Sequence, residues 1–244
     1  MTERTECYIG TSGWLYRHWR GVFYPADLPP ARWFAFYAAH LRTVEINSTF
    51  YRLPGASTFD AWRQEAPEGF VYSIKANRYI THLKKLKDPA APLAKLLDRA
   101  RHLGQHLGPL LYQLPPHWNA DLERLRTFLE LLPGDLQHAF EFRHPSWFSE
   151  QVLALLDRFG AGFCILDMPG LASPVRATGR LAYVRLHGPA RAYEGSYSEE
   201  ALAYWAAQVR GLLDSGRPVY VYFNNDARGY AVRNALRLRE LVAA

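Results

Sequence analysis

The sequence predicts an α/β fold of the TIM type, a single (β/α)8 barrel spanning residues 1–244, and three observations predict it. Short apolar runs rich in β-branched and aromatic residues alternate with segments whose apolar residues recur at helical spacing, the signature of repeated βα units. Eight such runs fit into 244 residues, a length at which barrels of this kind form one unit. Within the runs, alternate residues separate into an apolar set and a polar set, as expected when one strand face lies under helices and the other lines an interior. An open doubly wound sheet is the runner-up, but helices would cover both of its faces and leave that asymmetry unexplained.

Taken in order, the strands are predicted at residues 7–12, 43–47, 70–75, 110–114, 138–143, 162–167, 182–187 and 219–224. Helices are predicted at 31–41, 58–65, 91–103, 122–131, 150–159, 199–213 and 230–241. Pro169, Gly170, Pro174 and Gly179 interrupt the sixth interval, so a loop or single turn is expected there and the sixth helix should be weak or missing. Val44, Ile46, Ile74, Phe140, Val184 and Val221 share the apolar parity. Glu45, Asn47, Lys75, Gln113, Glu141, Arg143, Asp167, Arg185, His187 and Asn224 are assigned to the polar one, most of them near strand C-terminal ends where a barrel opens.

Hydrophobic residues make up 49% of the chain, enough for a sizeable core, and the balance of 29 basic to 23 acidic residues leaves a net charge of +6. That excess favours anionic partners, a small phosphorylated ligand or nucleic acid. Cys7 and Cys164 lie far apart inside apolar runs, as reduced core thiols do, which points to the cytoplasm. No apolar run approaches the roughly 18 residues of a membrane span, so no membrane partner is expected. No CxxC, HExxH or glycine-rich nucleotide loop occurs, and the residues name no cofactor.

Five groups are candidates for chemistry: Glu45, Lys75, Glu141, Asp167 and His187. Glu45 or Glu141 would act as general base and His187 as proton donor, with Lys75, Arg143 and Arg185 stabilising negative charge. The same charges could instead pair with one another and fix strand register. Candidates for holding a substrate are Trp14, Arg17, Asn47, Tyr51, Arg143, Arg185, Asn224, Asn225 and Asp226, with Arg20, Arg78, His82, Arg191 and Tyr193 completing an aromatic and basic rim. Asn225 or Asp226 is expected to cap the last helix and leave the amides near Gly229 open to an anion. Glu141, Asp167, His187 and Asp226 offer metal-ligand types, but Arg143 and Arg185 share their face and would repel a cation, so no metal site is assigned. Glu45 and Glu141 also have the residue types of a glycosidase pair, whose separation is not readable from sequence.

The stretches Ile9-Gly-Thr-Ser-Gly-Trp14, Phe23-Tyr-Pro25, Thr43-Val-Glu-Ile-Asn47, Thr49-Phe-Tyr-Arg-Leu-Pro54, Gln113-Leu-Pro-Pro116, Glu141-Phe-Arg143, Arg185-Leu-His-Gly188 and Tyr222-Phe-Asn-Asn-Asp226 resemble, in order, the YecE-like barrel family, catalogued as a domain of unknown function, number seventy-two. The resemblance runs from about residue 9 to 241 and implies a one-domain TIM-type barrel without implying a reaction, substrate or cofactor. The leading functional expectation is an enzyme acting on an anionic substrate, a phosphate ester or nucleic acid, at the C-terminal mouth, with hydrolysis as one chemistry. A non-catalytic nucleic-acid or phosphometabolite binder is the alternative, and a metal-dependent sugar isomerase or lyase stands third.

Overall fold

The structure, a computed structural model, describes residues 6–190 and 193–244, so Arg191 lies outside the described residues. Eight parallel strands follow one another around a barrel: β1 Cys7–Ser12, β2 Thr43–Ile46, β3 Val71–Lys75, β4 Leu107–Gln113, β5 His138–Glu141, β6 Gly162–Met168, β7 Ala182–Leu186 and β8 Val219–Phe223. Each pairs with its sequence neighbour, and pairing of β8 with β1 closes the ring. The layer outside holds α1 Trp33–His40, α2 Ala56–Glu65, α3 Ala90–Arg101, α4 Leu122–Leu129, α5 Glu150–Arg158, α6 Glu199–Leu213 and α7 Tyr230–Ala243. Between β6 and β7 the chain makes a turn and a two-residue antiparallel return, Leu171–Ala172, against Asp167 and Met168, so the sixth helix is missing as the prolines and glycines require.

Helix starts are set by short polar side chains. Asp121, Ser149 and Ser198 accept hydrogen bonds from the backbone amides of Arg124, Val152 and Ala201 at the heads of α4, α5 and α6, a contact typically worth about 1 kcal/mol. No helix among the described residues is long and apolar enough to cross a membrane.

The period-two pattern produces two separate cores. Val44, Ile46, Ile74, Phe140, Val184 and Val221 belong to the large core between barrel and helices. Tyr8, Leu111, Cys164, Tyr183, Tyr220 and Tyr222 form the second, inside the barrel. Tyr8 stacks on Tyr220 with centroids 4.9 Å apart, and the Tyr222 hydroxyl bonds Thr43 Oγ1 at 2.6 Å and Ser73 Oγ at 2.8 Å. The lower barrel is thus plugged by tyrosines whose hydroxyls find partners, leaving charged side chains only the upper end. β1 can approach β2 closely because Gly10 has no side chain: a Cβ there would stand 2.2 Å from the Thr43 carbonyl oxygen.

Gly10→Ala forces these strands apart, and a loss of about 3 kcal/mol or more is expected, read as a lower denaturation midpoint in urea. An unchanged midpoint would show that the seam between β1 and β2 yields easily.

Candidate functional site

A buried ion cluster is built from the upper ends of β1, β2, β5 and β7. Arg185, fully buried on β7, reaches across the barrel: its Nη2 donates to Glu45 Oε1 at 2.7 Å and its Nη1 to Glu141 Oε2 at 2.5 Å. Glu45 also accepts from Ser12 Oγ at 2.7 Å and from the Tyr183 hydroxyl at 2.6 Å. Glu141 accepts from Arg143 Nε as well. Two carboxylates and two guanidiniums therefore balance within a dry layer, which unpaired charges could not occupy. Burial works against the Glu141 carboxylate, but Arg143 and Arg185 outweigh it and hold its carboxyl well below the usual range.

His187, one step above Arg185, is fully buried, with Nε2 3.1 Å from Arg143 Nη2 and Nδ1 3.2 Å from the Asn224 amide nitrogen. A guanidinium nitrogen and an amide nitrogen both donate, so the neutral ring meets a donor at Nε2 and another at Nδ1. Burial, with Arg185 and Arg143 nearby, lowers its pKa to about 4, so the ring is neutral at neutral pH. Tyr193, from the loop after β7, sets its ring edge-on above it at 5.5 Å.

Lys75 is arranged differently. It ends β3 on the interior parity, 8% exposed, and among the described residues it forms no salt bridge. Its Nζ lies 4.4 Å from the centroid of the Phe50 ring. Phe50 is placed by the short helix Ser48–Tyr51, where Thr49 Oγ1 donates to the Lys75 carbonyl at 2.7 Å and ties the loop after β2 to the top of β3. His82 sets its ring edge-on to Phe50 at 5.0 Å. It comes from a π-helical turn, Tyr79–Leu83, that is followed by the left-handed non-glycine residues Lys85, Leu86 and Asp88. Burial, reinforced by Arg185 and Arg143 and only partly offset by Glu141 and Glu45, lowers the Lys75 ammonium to about 7. The mouth thus contains an amine whose titration burial has brought down toward neutral pH.

Glu45, Lys75, Glu141, Arg143, Arg185, His187 and Asn224 lie together at this end, and Asn47 joins them, its Nδ2 3.5 Å from the Ser12 carbonyl. Its Oδ1 is a buried acceptor without a partner among the described residues. Asp167 does not join. Leu166 pairs in register with Arg185, and Asp167 with Leu186, so Cys164, Leu166 and Met168 face inward and Asp167 faces out. It accepts from the Tyr197 hydroxyl at 3.1 Å. A charge is tolerated there because no sixth helix covers that stretch, and a tyrosine from the loop before α6 does so instead.

Trp14 is not a rim aromatic. It is buried in the helix layer, edge-on to Phe34 at 5.5 Å and to Trp62 at 6.4 Å. Asn225 is structural: its Nδ2 donates to the Gly195 carbonyl at 2.8 Å and to Asn234 Oδ1 at 2.9 Å, holding the loop after β7 to α7. Asp226 stands 3.7 Å from His18 Nε2, and its carbonyl accepts from Trp19 Nε1. Neither side chain caps α7, whose N-cap is the left-handed Gly229, packed beneath Val22, so the expected anion site at this helix start is covered. Arg17 and Tyr51 are exposed on the loops after β1 and β2, as a rim requires. Sequence reading missed Ser12 and Tyr183, although the parity that selected Glu45 and Arg185 also selects them. The contact of His82 with Phe50 joins two loops, and no local pattern encodes it. Glu141 and His187 come within 3.6 Å of each other but Asp167 faces away from them, and no group of three His, Cys, Asp or Glu side chains among the described residues could hold a metal ion. A cleft of about 690 Å³ opens at the opposite end beside Tyr8, Glu68 and Gln137, away from this cluster.

A closed parallel barrel with a charged layer at its C-terminal end is a TIM barrel with the usual placement of a functional mouth. This chain belongs to the family described as "Protein of unknown function DUF72", whose model matches residues 8–244. It is 26% identical to the UPF0759 protein YunF of Bacillus subtilis over 269 residues, 96% of this chain and 94% of that one. A DUF72 family protein from Thermotoga maritima has a solved structure that matches with a TM-score of 0.90 and 31% identity, over 98% of this chain and all of that one. A xylose isomerase-like TIM barrel protein from Mycobacterium smegmatis, in complex with magnesium, matches at 0.51 and 14% identity over 89% and 90% of the two chains, a likeness of fold.

Arg185→Met leaves two buried carboxylates short of a partner, and a loss of about 3–5 kcal/mol at pH 7 is expected in chemical denaturation. Stability equal to the parent's would show that the arginine is not needed to balance the cluster. Lys75→Met acts in the opposite direction. Lys75 titrates near 7 in the folded state and at its ordinary 10.5 in the unfolded chain, so between those values unfolded molecules bind more protons and stability rises with pH. The variant is expected to be more stable than the parent by a few kcal/mol at pH 7, with the gap closing as pH approaches 10.5. Thermal melts across that range check it, and a constant gap would contradict it.

Proposed function

We propose that this protein is an enzyme that binds one small phosphate ester at the C-terminal mouth, with Lys75 as the buried, unpaired amine beside which the ligand sits. The observation carrying this reading is the unequal treatment of the buried charges. Arg143 and Arg185 are committed to Glu141 and Glu45, whereas Lys75 has an aromatic face and no carboxylate. A bound anion raises the lysine's pKa and relieves the cost of burying it, so binding is strengthened by the same desolvation that makes the empty site unfavourable. The orphan acceptor Asn47 Oδ1 suits a substrate hydroxyl, and the exposed Arg17, Arg52 and Arg78 on the loops after β1, β2 and β3 supply long-range attraction.

Among the sequence candidates for acid–base work, the carboxylates fit poorly. Glu45 and Glu141 are fully buried and already accept two or three donors each. Both ring nitrogens of His187 are engaged, so Lys75 is the group free to take or give a proton. Hydrolysis assisted by a carboxylate base is accordingly the weaker form of the proposal. A magnesium site like that of the Mycobacterium smegmatis barrel does not fit these donors, because guanidiniums occupy the oxygens of Glu141 and Asp167 faces away.

A nucleic-acid binder remains the second reading, supported by Tyr51 and Tyr79, 72% and 45% exposed on loops that also carry Arg52 and Arg78. Trp14, buried in the helix layer, offers it no stacking surface.

Inorganic phosphate or a triose phosphate at a hundredfold its Kd is expected to add about 2.7 kcal/mol, a Tm rise of roughly 5–10 °C, and Lys75→Met is expected to abolish the rise. No shift in the parent, or the same shift in the variant, would refute the site. A salt series separates the two readings: one phosphate gives a shallow slope of log affinity against log salt, and a single strand of nucleic acid a steep one.

A further inference from the structure

The chain uses arginine almost to the exclusion of lysine, with 24 arginines and five lysines. Lys84, Lys85, Lys87 and Lys95 are partly or fully exposed, and Lys75 is the one lysine that is buried. Arginine would serve better at this position if a fixed positive charge were all that was needed, since it is less costly to desolvate and pairs in two directions, as Arg185 does in the same layer. What lysine provides that arginine does not is a nitrogen able to lose its proton and present a lone pair. Its neighbours suit that use. Phe50 covers one side of the nitrogen, no carboxylate among the described residues pairs with it to fix the proton, and at 8% exposure Lys75 is not wholly sealed from solvent.

We propose that Lys75 is a covalent nucleophile that forms an imine with the carbonyl carbon of an aldose or ketose phosphate. The proposal rests on the reading of the mouth as a phosphate-ester site and names the reactive part of its substrate: the phosphate is met by the exposed Arg17, Arg52 and Arg78, and Lys75 meets the carbonyl as the neutral amine. In the step, the neutral Nζ attacks the carbonyl carbon, a C–N bond forms, and the carbonyl oxygen takes a proton to give a carbinolamine. The C–O bond then breaks, the oxygen leaves as water carrying both amine protons, and a C=N bond to Lys75 remains. No oxidant or reductant is required. The imine, once protonated, is an electron sink for removal of a proton or cleavage of a bond at the adjacent carbon. At this end Asn47 Oδ1 is a buried acceptor without a partner among the described residues, open to a hydroxyl of the substrate.

The test is reductive trapping on the intact protein with sodium borohydride, using glyceraldehyde 3-phosphate, dihydroxyacetone phosphate and unphosphorylated glyceraldehyde as probes, followed by intact mass and peptide mapping. The expected result is a single adduct on Lys75, equal to the probe mass less one oxygen atom, formed at least tenfold faster than on Lys84, Lys85, Lys87 or Lys95. It should be absent from Lys75→Met and from Lys75→Arg. Adducts spread over the four outer lysines, or none at all, would overturn the proposal, and because mapping is done on the unmodified sequence the outcome does not depend on whether a variant folds. If phosphate raises Tm but no probe is trapped at Lys75, the phosphate site survives and the imine fails. If glyceraldehyde is trapped at Lys75 as fast as its phosphate, and phosphate leaves Tm unchanged, the nucleophile survives and the phosphate site fails.

Discussion

The barrel depends on one buried guanidinium. Arg185 spans from β7 to Glu45 on β2 and Glu141 on β5, joining three strands that are not neighbours, and all three side chains are fully buried. Two carboxylates and the guanidinium would each be prohibitively costly alone, so their positions are mutually determined. Ser12 and Tyr183 are where they are because Glu45 has lone pairs left to satisfy, and Arg143 because Arg185 does not neutralise Glu141 and Glu45 together. Hydrophobic side chains would have given a more stable upper layer. A charged layer where a TIM barrel opens is a feature whose value lies in what it holds in place.

It holds the electrostatic surroundings of Lys75. Arg185 and Arg143 push the lysine toward its neutral form and Glu141 and Glu45 toward its charged one, and burial is the largest of these influences. Below it, Tyr8, Tyr220, Tyr183 and Tyr222 fill the barrel interior. Above it, Phe50 and His82 arrive from separate loops, anchored by Thr49 to the end of β3 and by the π-helical turn. The rigid parts are strands and the adjustable parts are loops, a division that lets a functional group be set accurately while its entrance varies.

The missing sixth helix has effects on both faces. It shortens the return from β6 to β7, and it leaves the outer end of β6 to be covered by Tyr197, which is why Asp167 can be polar while pointing away from the interior. Residue polarity is thus a dependable guide to strand parity only where a helix lies over the strand. The same dependence on neighbours moved Trp14 into the helix layer beside Phe34 and Trp62, and turned Asn225 into a tie between loop and helix.

The repeated βα order, the eight strands, the interrupted sixth unit and, through period two, most of the residues that share the barrel interior are legible in the linear chain. These follow from local chemistry: where side chains alternate, where prolines and glycines end an element, and where apolar residues recur at helical spacing. Which buried charges pair, and which one is left over, emerges only when the chain is folded. That Arg143 and Arg185 are neutralised while Lys75 faces an aromatic ring depends on distances between strands and loops far apart in sequence. Charge energy in a dry interior changes steeply with those distances, and linear order carries no information about them.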